Sequence, residues 1–102
     1  DHGKPAKGSR VHILGVAYKK NIDDVRESPA LDVIHLVQQR GAIVTYSDPY
    51  IPDLAHEGLP LRSIDWVQGC RDADCVVIIT DHRDFDYSAV VAESKLIVDT
   101  RN

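Results

Sequence analysis

The sequence predicts a three-layer α/β/α domain built on a mostly parallel sheet. Three observations predict it. Strand-like and helix-like segments alternate along the whole chain, the pattern of successive β-α-β units joined by right-handed crossovers. The run "CVVIIT" is apolar throughout instead of alternating, which suits a strand covered on both faces. Between the first two strand patterns lies a helix with both ends marked, long enough to connect parallel neighbours.

The segment Asp1–Arg10 has Gly, Pro and Lys without periodicity and reads as a linker or docking tail, with the domain proper spanning 11–102. A strand begins at Val11 in "VHILGVAY". The helix follows in "ESPALDVIHLVQQRG": Ser28 is the capping candidate and Pro29 suits the first helical position, where its missing N–H needs no partner. Leu31, Ile34 and Val37 line one face, widened by Val33 and Leu36. Gly41 suits the left-handed position after the helix. "AIVTYSD" is a second strand, stopped by Asp48-Pro49. "PYIPDLAHEGLP" is loop with one helical turn, and Leu59–Leu61 is expected as a short strand. "SIDWVQGCRDAD" is a short helix, with Ser63 as its expected cap and Ile64, Val67 and Trp66 toward the core. After "CVVIIT" come a turn and a short helix in "DHRDFDYSAVVAESK". "LIVDT" is the last strand.

The 102 residues make one domain, and a chain of this size buries roughly two thirds of its unfolded surface. An apolar content of 43% is that of a globular protein. No apolar run approaches the roughly 20 residues that span a bilayer, and "DHGKPAKGSR" has no signal-peptide core. The chain does not open on Met, so its native start is expected upstream. The net charge of −4 is uneven. The first twenty residues carry five basic side chains against Asp1, and the remainder carries fifteen acids against seven bases. That acidic excess argues against a nucleic-acid surface. Cys70 and Cys75 form neither a CxxC pair nor a disulfide framework. A buried thiol is expected at Cys75, and the cysteine usage fits a cytoplasmic protein.

Ligands of open parallel sheets bind beyond the carboxyl ends of the strands. Four polar clusters fall there: Lys19 and Lys20, then Asp48, then Asp81 and His82, then Asp99, Thr100 and Arg101. An acid after a strand is more often a cap than a ligand contact. Several chemistries fail on residue type. Gly15 stands alone where a dinucleotide fingerprint needs three glycines to let backbone approach a pyrophosphate. "GKPAKGSR" is not a Walker loop, and no G-x-S-x-G elbow occurs. A receiver domain wants an acidic pair after the first strand, where Lys19-Lys20 stand. Asp48, Asp81, His82 and Asp99 lack a diagnostic metal spacing. His35 lies among polar helix positions, and His2, His12 and His56 carry no pattern.

The cations are more informative. Lys19, Arg26 and Arg101 are expected near one rim, beside the helix N-terminus opened by Ser28. Guanidinium forks match phosphate oxygens, lysine supplies a mobile charge, and free N–H groups favour anions. The set describes a pocket for a pyrophosphate-like anion, with Asp23, Asp24 and Glu27 accepting from sugar hydroxyls or orienting the bases. Plain surface ion pairs are the competing reading.

"LGVAYKKNIDDVRESPALDVI", "YSDPYIP", "TDH" and "IVDTRN" resemble, in order and over nearly the whole chain from Gly8 to Asn102, the C-terminal domain of the UDP-glucose/GDP-mannose dehydrogenase family. The resemblance implies a Rossmann-like, nucleotide-sugar-binding domain. Family members are NAD-dependent enzymes that oxidise the sugar C6 alcohol twice, to a carboxylate. They combine an NAD-binding domain, a helical central domain and this one, so the implied partners are a UDP-sugar, the other two domains and further copies in a homo-oligomer. By the resemblance Lys19, after Tyr18, contacts the nucleotide sugar. Arg101 sits at its nucleotide end, and Tyr18 and Asp24 line the substrate loop. Arg26 reaches the NAD across the cleft. The family's covalent chemistry uses a cysteine in a glycine-rich motif upstream of this domain, which neither Cys70 nor Cys75 matches. The chain is therefore expected to be inactive as an isolated dehydrogenase. "YKKNIDDVRESPALDVI" is most similar to the UDP-N-acetyl-hexosamine branch. The alternatives are a non-catalytic nucleotide-binding or regulatory module of the same fold, and an interaction domain with a charged rim.

Overall fold

Strand β1 (Arg10–Leu14) is the axis of the molecule. The computed structural model describes residues 8–16, 29–80, 82 and 85–100. Helix α1 (Pro29–Gln39) leads to β2 (Ile43–Ser47). After a 3₁₀ turn (Ala55–Glu57) come α2 (Trp66–Asp72), β3 (Cys75–Ile78), α3 (Tyr87–Glu93) and β4 (Ile97–Asp99). The four strands form one sheet in the order β2-β1-β3-β4, every pair parallel. Ile13 stands opposite Tyr46 on one side and Val77 on the other, so these three share a face and every second residue along each strand joins them.

That alternation sorts the core into two layers. Val11, Ile13, Val44, Tyr46 and Val77 meet Ala30 and Ile34 of α1 on one face. Leu14, Val76 and Ile78 meet Cys70 and Ala73 of α2 and Val90 of α3 on the other. A three-layer α/β/α domain results, as the alternating pattern predicts, and "CVVI" is apolar throughout because β3 has a layer on each side. Among the described residues no helix is long and apolar enough to cross a membrane.

Helix α1 starts at Pro29 and stops as expected before Gly41, which takes φ 89° and donates its N–H to the Gln38 carbonyl at 2.9 Å. The Ser28 cap lies outside the described residues. Helix α2 departs from expectation at its start. Its cap is Asp65, whose carboxylate accepts from the Gln68 N–H at 2.9 Å. The Ser63 hydroxyl instead accepts the Asp48 N–H at 3.0 Å, because the chain reaches Ser63 while still running beside β2. Ile64, expected in the core, is 41% exposed for the same reason: it precedes the helix. Trp66 does turn inward, edge-on to Phe85 at 5.9 Å. Leu59–Leu61 forms no strand. Leu59 N–H closes a turn on the Leu54 carbonyl, and pairing reduces to isolated bridges, Asp53 with Arg62 and Tyr46 with Ser63. The buried thiol is Cys70 at the α2–sheet contact, whereas Cys75 is half-buried at the start of β3.

Candidate functional site

The strand order places a switch point between β1 and β3: the chain leaves β1 to one side for β2, then crosses to the other for β3. Clefts in parallel sheets open there, at the carboxyl ends. Here the two strand ends come into direct contact. Gly15 takes φ 82°, and a Cβ on it would lie 2.4 Å from the Thr80 carbonyl oxygen. No L-residue fits both the conformation and the space. The lone glycine thus serves the strand contact: Ile79 N–H donates to the Leu14 carbonyl at 3.0 Å and Gly15 N–H to the Ser47 carbonyl at 2.9 Å.

Asp48 closes this end of the sheet. One carboxylate oxygen accepts the Val16 N–H at 2.7 Å and the His82 Nε2–H at 3.1 Å, and the other accepts the Tyr50 N–H at 2.8 Å. Both side chains of the Asp48–His82 pair are fully buried. The carboxylate therefore ties together the exits of β1, β2 and β3. His82 sits in an aromatic group, 5.6 Å from both Tyr50 and Phe85, and its backbone N–H donates to the Tyr87 hydroxyl at 3.2 Å. On β4's side, Thr100 donates through both N–H and hydroxyl to the Ile78 carbonyl, at 3.0 and 2.7 Å.

A second buried histidine lies deeper on the α2 face. His12 is fully buried in β1. The Ser47 hydroxyl donates to the Ile64 carbonyl at 2.6 Å, so it can only accept from His12 Nε2–H at 2.9 Å. Thr45 then donates to Nδ1 at 2.6 Å. The ring is neutral, with its proton on Nε2. Burial lowers its pKa from 6.5 to about 4, since an imidazolium here would lose its hydration. Gly69 of α2 lies flat on this ring: a Cβ there would be 2.3 Å from Cε1. Burial also pushes the Cys70 thiol up, away from nucleophilic use.

Of the four polar clusters read from sequence, the structure brings Asp48 and His82 into contact and leaves Asp99 exposed on β4. Tyr18, Lys19, Lys20, Asp23, Asp24, Arg26, Glu27, Asp81 and Arg101 lie outside the described residues. No group of three acidic, histidine or cysteine side chains among the described residues is arranged for a metal ion. Gly15 is taken up by the contact with Thr80. Sequence reasoning overlooked His12. The available signal was its place among Val11, Ile13 and Leu14 in a strand bordered by the hydroxyl-bearing "TYS" of β2.

Comparison with known proteins gives this arrangement its relatives. Residues 12–102 match the model of the UDP-glucose/GDP-mannose dehydrogenase family, UDP binding domain. A UDP-glucose 6-dehydrogenase of Rhizobium meliloti is 37% identical over 98% of the chain and 24% of its own length. A UDP-N-acetyl-D-mannosamine dehydrogenase of Methanocaldococcus jannaschii is 37% identical over 91% of the chain and 22% of its own length. The crystal structure of an NDP-N-acetyl-D-galactosaminuronic acid dehydrogenase from Methanosarcina mazei Go1 superposes with a TM-score of 0.81 at 30% identity, over 99% of this chain and 22% of that one. The chain thus spans about a quarter of the length of the curated relatives it matches.

Proposed function

The chain belongs to the UDP-glucose/GDP-mannose dehydrogenase family, as a UDP binding domain, and on that premise we propose that it holds the nucleotide sugar of an NAD-dependent UDP-sugar 6-dehydrogenase. The observation that carries the reading is positional. The segment with Tyr18, Lys19, Asp24 and Arg26 departs from β1 at the switch point, where parallel-sheet proteins bind ligands. Arg101 follows Thr100, which is tied to the carbonyl of the neighbouring β3 end. Lys19 and Arg101 neutralise the diphosphate, Tyr18 and Asp24 line the sugar side, and Arg26 reaches toward NAD.

The stretch ahead of β1, expected as a linker up to Arg10, serves as the link to two further domains, which carry the NAD fingerprint and the catalytic cysteine; Arg10 itself belongs to β1, and Gly8 and Ser9 hydrogen-bond to Gly41 and Ile43. In this reading the 102 residues have no dehydrogenase activity alone. The buried, raised-pKa Cys70 supports that, since a thiol in this state is a poor nucleophile. The sugar is a UDP-N-acetyl-hexosamine, supported by the wording of "YKKNIDDVRESPALDVI"; the relatives include both UDP-glucose and UDP-N-acetylmannosamine enzymes. The whole enzyme is cytoplasmic, homo-oligomeric and engaged in polysaccharide biosynthesis.

Calorimetric titration of the chain with UDP, UDP-glucose and UDP-N-acetyl-hexosamines tests the reading, with GDP as the control. UDP binding that Lys19→Ala and Arg101→Ala weaken, and that GDP does not match, is the expected result. Indifference of UDP binding to both substitutions would defeat the assignment. Turnover of any UDP-sugar with NAD by the purified chain would defeat the claim of inactivity.

A further inference from the structure

The buried Asp48–His82 pair has no part in the nucleotide-sugar contacts proposed above, yet it holds the Val16 peptide, from which the chain runs on to Tyr18 and Lys19. We infer that Asp48 and His82 are positioning residues for the nucleotide-sugar site: the carboxylate, itself oriented by His82, sets the direction in which the chain leaves β1. This rests on the proposal that Tyr18 and Lys19 meet the ligand.

Three features of the geometry carry the inference. The first is the donor set. Asp48 accepts from Val16 N–H at 2.7 Å, Tyr50 N–H at 2.8 Å and His82 Nε2–H at 3.1 Å, groups that belong to three different strand exits. A carboxylate has only acceptors and satisfies all three donors at once, whereas an amide in its place would turn its NH₂ toward one of them. The second is burial. Neither side chain touches solvent, and a desolvated carboxylate is costly unless its donors stay in place, so the donors are held in one arrangement. The third is the short lever. Val16 precedes Tyr18 by two residues and Lys19 by three. Three residues span at most about 11 Å, so Tyr18 and Lys19 stay tethered close to the Val16 peptide that Asp48 holds.

His82 can orient the carboxylate because it is itself fixed. Its ring lies 5.6 Å from Tyr50, tilted at 47°, and 5.6 Å from Phe85, edge-on at 87°. Its main-chain N–H is held by the Tyr87 hydroxyl of α3. The pair therefore transmits the placement of the segment after β3 to the exit of β1, across the switch point.

The experiment uses UDP as probe and the 102-residue chain followed by ¹H–¹⁵N NMR. His82→Phe keeps an aromatic ring between Tyr50 and Phe85 and removes the Nε2–H, while His82→Gln returns an N–H at the same reach. The expected result is UDP binding about tenfold weaker in His82→Phe, the loss of one charge-assisted hydrogen bond from the site's alignment. His82→Gln should recover most of it, and the Val16 amide resonance should move with the affinity. Val90→Ala, a core truncation in α3, supplies a variant of lowered stability whose UDP affinity is expected to be unchanged. Should His82→Phe fail to fold, Tyr87→Phe asks the same question, because it removes the hydroxyl that holds the His82 backbone; a severalfold loss of UDP affinity is expected. A folded His82→Phe, or in its place Tyr87→Phe, that binds UDP as the wild type does overturns the positioning role. If the wild-type chain shows no UDP-dependent shifts at millimolar UDP, the site reading itself falls, and the inference with it.

Discussion

Acid should destabilise this domain as pH falls from the ordinary histidine range to about 4, and His12 is the reason. The ring is buried and neutral, with Nε2–H bound to Ser47 and Nδ1 accepting from Thr45. Its pKa is lowered from 6.5 to about 4 in the folded protein, whereas the unfolded chain takes up the proton near the ordinary value. Between those two values the unfolded state binds more protons, so stability falls as pH falls. A depression of this size corresponds to about 3 kcal/mol, lost progressively as pH drops from the ordinary histidine range to about 4. Against a total of roughly 5–15 kcal/mol for a domain, that is a large share. Urea denaturation at a series of pH values measures it. His12→Gln, which cannot titrate, supplies the reference and removes contributions common to both proteins. The two stability curves should converge toward pH 4 and separate toward neutrality by about 3 kcal/mol of pH-dependent difference. The imidazole carbon shifts of His12 should stay constant from pH 7 to 5. Parallel curves, or a His12 resonance that titrates near 6.5, would refute the buried neutral ring.

The remaining expectations concern packing and capping. Gly15→Ala combines a φ of 82° with a Cβ 2.4 Å from a backbone oxygen, which cannot move cheaply; a loss of about 3 kcal/mol is expected, read as a fall in Tm of about 15 °C. Gly69→Ala should cost about 2 kcal/mol, because the new methyl meets the His12 ring at 2.3 Å. In a His12→Ala background the same change should become neutral or stabilising by up to ~1 kcal/mol, the ordinary helix preference for alanine; an unchanged cost there would mean that the ring is not what forbids the side chain. Asp65→Ala removes the α2 cap and should lower stability by about 1 kcal/mol in thermal melts, whereas Ser63→Ala should leave the start of α2 intact.

Much of the fold is legible because it depends on local chemistry. Pro29 and Gly41 bracket α1, since one lacks a donor the helix does not need and the other accepts positive φ. The apolar "CVVI" marks the strand that is buried on both faces. The misread details depend on where chain segments meet. Ser63 and Asp65 are equally good caps by type. Ser63 is drawn to Asp48 because that stretch runs beside β2, and only Asp65 is left to cap α2. Leu59–Leu61 has strand-like residues, but its backbone bonds go to Leu54 instead of to the sheet: Leu59 N–H donates to the Leu54 carbonyl and the Leu61 carbonyl accepts the Leu54 N–H.

The candidate site divides in the same way. By itself the sequence determined the alternation of elements, the strand ends as the place for polar residues, the isolation of Gly15 and the family, because these rest on residue type and order along the chain. Only the tertiary structure decided that Gly15 serves the contact with Thr80, that His12 is neutral beneath Gly69, and that Asp48 and His82 meet across β1. Each of these is a short distance between residues far apart in sequence. Each is set by the strand order β2-β1-β3-β4 and by the desolvation that packing imposes, and neither can be read from one segment alone.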